Sequence, residues 1–85
     1  MNSEEIKQQG DEMVEMFMPF AYYNPFAYYN TESVNVLKEQ VSNATRIAIA
    51  HCKRVIEVLE KSKPLSVYEL NNHRLILSEL EGRVK

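Results

Sequence analysis

The 85-residue chain is 45% apolar and 26% charged, a balance that excludes both composition-driven disorder and a membrane-embedded protein. Its net charge of −2 argues against a general binder of long nucleic acids, and its single cysteine excludes an internal disulfide. A domain of this size buries only about 60–65% of its unfolded surface, so the thin core of residues 1–85 is expected to lean on another subunit.

The charges are split along the chain. Residues 1–32 hold one lysine against six acids, whereas residues 33–85 hold nine basic against six acidic residues. Such an asymmetry can align copies head to tail or leave an anion-attracting surface. No apolar run approaches the about 18 residues of a membrane span, and MNSEEIKQQG lacks the basic and apolar regions of a signal peptide. A cytoplasmic chain with a reduced Cys52 is therefore expected.

The first helix is predicted over residues 3–18. Ser3 is placed to cap it, and Glu4 and Glu5 suit the positive end of the helix dipole. Ile6, Met13, Val14, Phe17 and Met18 form one apolar stripe, and Gly10 on that stripe points to close packing against another backbone. Pro19 ends the helix, because a residue before proline avoids helical backbone angles.

Residues 19–30 are PFAYYN written twice, Pro19–Asn24 and Pro25–Asn30, without a difference. Four of the five tyrosines and two of the three phenylalanines lie in these twelve residues. The period is too short for a solenoid, and proline and asparagine favour turns. Duplication of a tolerant loop explains its origin, but six aromatics still need cover from the core, a subunit or a ligand.

The long helix is predicted over 31–62, capped by Asn30 or Thr31 and stopped by Lys63–Pro64. Val34, Leu37, Val41, Ala44, Ala48, Cys52, Val55 and Leu59 recur by threes and fours, with Ile47, Ile49, Ile56 and Val58 as a second row. Thirty-two residues would span about 48 Å at 1.5 Å each, longer than a compact globule of this size, so another copy is expected to cover the far end. Ala44, Ala48 and Ala50 would let a second helix approach closely.

Ser66-Val67-Tyr68-Glu69 has the pattern of a capping box, flanked by Leu65 and Leu70 at staple positions. It opens a third helix over 66–82, with Leu70, His73, Leu77, Leu80 and Val84 on one face, Ile76 alongside, and fraying near Gly82. No segment alternates as a strand does. The expected fold is all-α, a helical hairpin or bundle completed by homo-oligomerisation.

Catalytic and metal motifs are missing: there is no phosphate loop, no GxSxG, no HExxH and no CxxC. His51 and Cys52 are about 100° apart on a helix and cannot chelate one ion from the same face. His73 reads as a hydrogen-bonded polar residue and Cys52 as a small buried hydrophobe. No catalytic residue, metal or cofactor is expected, and an enzyme is not.

Binding chemistry remains. Arg46 and Lys53 are seven residues apart on one helical face, with Arg54, Asn43 and Thr45 nearby. Arginine forks phosphate and tyrosine rings stack on bases, so Tyr22, Tyr23, Tyr28 and Tyr29 with Asn43, Arg46, Lys53 and Arg54 could hold a small nucleotide at a subunit boundary. The alternatives are that the charges are merely solvated and that the aromatic loop binds a protein or packs at a subunit contact.

Val14–Phe17 (VEMF), Asn43–Glu60 (NATRIAIAHCKRVIEVLE) and Leu77–Lys85 (LSELEGRVK) together resemble short, uncharacterised, all-helical proteins of bacteriophages and prophages. The resemblance implies a phage-like setting in a host-cell cytoplasm. Small helical proteins there antagonise host defences, by gripping a defence protein or by sequestering its nucleotide signal. The expectation is thus a non-enzymatic sponge for a small nucleotide; the alternatives are a protein-binding inhibitor or adaptor and a structural assembly protein.

Overall fold

The computed structural model describes residues 2–21, 33–64 and 66–84, with side chains from residue 38 onward in the second of these stretches. They form three helices, α1 (Ser3–Phe17), α2 (Ser33–Lys61) and α3 (Val67–Arg83), with a 3-10 turn at Met18–Phe20. There is no strand among the described residues, and the fold is all-α. Among the described residues, no helix is long and apolar enough to cross a membrane.

Asn2, not Ser3, caps α1. Its extended backbone lets Oδ1 accept from the Glu5 amide at 2.9 Å, and its carbonyl takes the first helical bond from Ile6. The other end corrects the expected boundary at residue 18. Pro19 has no amide to offer the Glu15 carbonyl, so Met18 donates to it instead and the chain tightens into the 3-10 turn.

The described part of α2 starts at Ser33; the expected caps Asn30 and Thr31 lie outside the described residues, as do the side chains of Val34 and Leu37. The helix ends at Lys61, one residue short of the expected Ser62. Both the amide and the hydroxyl of Ser62 turn back to the Leu59 carbonyl, at 3.2 and 2.9 Å.

Ser66 precedes α3 and its carbonyl accepts from Leu70, but its hydroxyl makes no capping bond. The expected capping box is not formed. The backbone at Ser66 has ψ at 90°, against 172° at the capping Asn2. Leu65, the other half of the expected staple, lies outside the described residues. The helix passes Gly82 and ends at Arg83.

α2 and α3 form an antiparallel hairpin: Cys52 reaches the His73 carbonyl, Glu60 pairs with Arg74, and Val41 shares a groove with Arg83. α1 lies across both, its start beside the end of α3 through Arg83 and its end bonded to α2 through Gln40, which donates to the Met18 carbonyl at 3.0 Å. The core is a seam along α2, Ala44, Ala48, Cys52 and Ile56, meeting Leu70, Ile76 and Leu80 of α3 and Val14 of α1. The four-residue spacing of the seam follows one ridge of the helix, which presents small side chains to its neighbours.

Ala44 and Ala48 are fully buried within this chain, whereas Ala50 faces solvent. Three members of the expected apolar faces are also open. Val41 borders the groove between α1 and α2, Val58 lies to the side of the seam, and Val84 follows the last helical turn. The molecule measures 51 × 25 × 20 Å with a radius of gyration of 15.0 Å, against about 12 Å for a compact domain of this length.

Candidate binding surface

Arg46 and Lys53 lie on the side of α2 turned away from the core seam, both exposed, and neither has a hydrogen bond or ion pair among the described residues. Arg54 differs. It pairs with Glu57 at 3.2 Å, one turn along the same helix and in solvent. An exposed pair of this kind adds little to stability, but it occupies the guanidinium. Asn43 is half-buried and engaged with a partner. Thr45 is not available as a donor: it is buried, and its hydroxyl donates to the Val41 carbonyl at 2.7 Å. Tyr22, Tyr23, Tyr28 and Tyr29 lie outside the described residues.

The cations and the described grooves are on different surfaces. The first groove, of about 480 Å³, lies between the start of α1 and the end of α3 and is bordered by Ile6, Leu75 and Gly82. A second, of about 330 Å³, runs between α1 and α3 further along. The buried Ile76 forms its floor, Met13 and Met16 one wall, and Glu12 and Glu69 stand at its margins. No Lys or Arg among the described residues borders it. Its polar wall is fixed, because His73 donates through Nδ1–H to the Glu69 carbonyl at 2.8 Å. Beyond Met16, the 3-10 turn leaves Phe20 75% exposed, and Met16 itself is 53% exposed.

Arg83 closes the α1–α3 contact. Its guanidinium pairs with Asp11 at 2.8 Å and with Glu79 at 3.1 Å, and donates to the Lys7 carbonyl at 3.1 Å. Gly10 is directly beneath it, where a Cβ would stand 3.1 Å from Nη2. The close neighbour of Gly10 is thus a side chain, the Arg83 guanidinium, and not the backbone that was expected there. Sequence reasoning missed Arg83 itself; the signals were the i,i+4 pair Glu79–Arg83 and the glycine on an apolar stripe.

Cys52 is fully buried and its thiol donates to the His73 carbonyl at 3.2 Å. Burial, with the charge of Glu81 adding to it, pushes the thiol up from its ordinary value of 9.0, so it stays protonated. His51, its neighbour in sequence, points elsewhere, onto the Phe17 ring at 5.3 Å. No group of three metal-ligating side chains converges among the described residues.

Comparison of the chain with protein families, curated proteins and solved structures returned no match.

Proposed function

We propose that the chain is a non-enzymatic protein-binding element that assembles with copies of itself, through the apolar surface at the end of α1. The observation that carries this reading is the exposure of both Met16 and Phe20, four residues apart where the doubled aromatic segment begins. An exposed cluster of this kind on a small elongated chain marks a contact surface. The phage resemblance adds the class of a further partner, a host defence protein.

The test is light scattering on the size-exclusion eluate across a hundredfold range of protein concentration. Wild type is expected to assemble. Met16→Ser and Phe20→Ser should each raise the dissociation constant at least tenfold, because burying such a side chain is worth about 1.5–3 kcal/mol. A wild-type chain that stays monomeric throughout overturns the reading.

A second reading rests on Arg46 and Lys53, whose side chains have no partner among the described residues. Here the assembled protein sequesters a small nucleotide between subunits, its base stacked on the tyrosines and its phosphate held by these cations, with Arg54 and Asn43 beside them. Stabilisation by a cyclic or ADP-ribose-type nucleotide, lost in Arg46→Ala/Lys53→Ala, would favour it over the first; ligand at 100 times its dissociation constant adds about 2.7 kcal/mol.

A further inference from the structure

The groove between α1 and α3 has an apolar floor and acidic margins, while the back of α2 carries Arg46 and Lys53, exposed and without partners among the described residues, with the half-buried Ile49 and the exposed Ala50 between them. We propose that these surfaces fit one another: the groove of Met13, Met16 and Ile76, with Glu12 and Glu69, receives the Arg46/Lys53 face of α2 from a second copy of this chain. The inference rests on the self-association reading and assigns its two contacting faces.

Three observations support the fit. The charges are complementary, since the groove has two carboxylates and no Lys or Arg among the described residues, and Glu57 beyond Lys53 is already taken by Arg54. The chemistry of the stems matches as well. Arginine and lysine lay three or four methylenes along apolar surface and keep the charge at its edge, which suits a methionine wall bounded by carboxylates. Finally, the faces are on different helices, so each copy keeps one of each unused after pairing. That makes the contact heterologous, and it propagates as a ring or a filament instead of stopping at a symmetric dimer.

The test is sedimentation velocity at low and high salt on the full chain and on two variants, Glu12→Lys/Glu69→Lys and Arg46→Glu/Lys53→Glu. Each variant alone opposes like charges, which are costly across an interface, and is expected to raise the dissociation constant at least tenfold. An equal mixture of the two restores both opposite-charge contacts and is expected to reassemble. That recovery also shows that both variants are folded. Wild type should dissociate as salt rises, because the Debye length falls from about 10 Å at 0.1 M to about 3 Å at 1 M.

Variants that assemble as wild type does overturn this pairing and leave self-association through another surface standing. A mixture that stays monomeric while wild type assembles also overturns it. A monomeric wild type overturns both readings.

Discussion

Gly10 and Arg83 depend on each other. Glycine inside a helix costs about 1 kcal/mol relative to alanine, so Gly10→Ala would ordinarily stabilise α1. Here the added methyl meets a guanidinium held by Asp11, Glu79 and the Lys7 carbonyl. The substitution is therefore expected to be neutral or destabilising in the wild type, and to stabilise by about 1 kcal/mol once Arg83→Ala has cleared the space. Denaturant titration of the four proteins reads this as a coupling of at least about 0.5 kcal/mol. Equal effects in the two backgrounds would mean that the guanidinium moves aside freely.

The two described N-caps make a second comparison, at the level of the helix. Asn2 bonds the Glu5 amide while Ser66 bonds nothing through its hydroxyl. Asn2→Ala should cost about 1 kcal/mol, as loss of a working cap does, and Ser66→Ala should stay within about 0.5 kcal/mol, as an uninvolved surface change does. Thermal unfolding of both variants checks the order; a larger loss at Ser66 would contradict it. The contrast also shows what was legible in the sequence. Periodicity located all three helices to within two residues at every described end, because the apolar faces are long and proline interrupts them. Capping was less legible. Which polar residue near a helix start turns its oxygen onto the amides depends on backbone and side-chain torsions that residue type does not determine.

That Arg46 and Lys53, seven residues apart, share one face of the helix followed from spacing alone, whereas the α1–α3 groove did not. Met13, Met16 and Ile76 are remote in sequence and meet only because α1 lies across the hairpin. Arg83 was missed for the same reason: its partners Lys7 and Asp11 are more than seventy residues away. The expected long helix is present as the 29-residue α2, and the described core seam runs from Ala44 to Ile56. Val41 and Val58, beyond either end of that stretch, are 41% and 54% exposed.

Arg83 ties the start of α1 to the end of α3, beside the packing of Met13, Val14 and Phe17 on the core, and the first helix should behave as a latched arm. Opening of that latch would free the α1 amides for hydrogen exchange while the α2–α3 hairpin keeps its protection, since the hairpin owns most of the buried seam. Exchange monitored by mass spectrometry is expected to show α1 labelling first, and faster still in Arg83→Ala, with the Ala44–Ile56 stretch unchanged. Simultaneous labelling of all three helices would instead make the molecule a single cooperative unit.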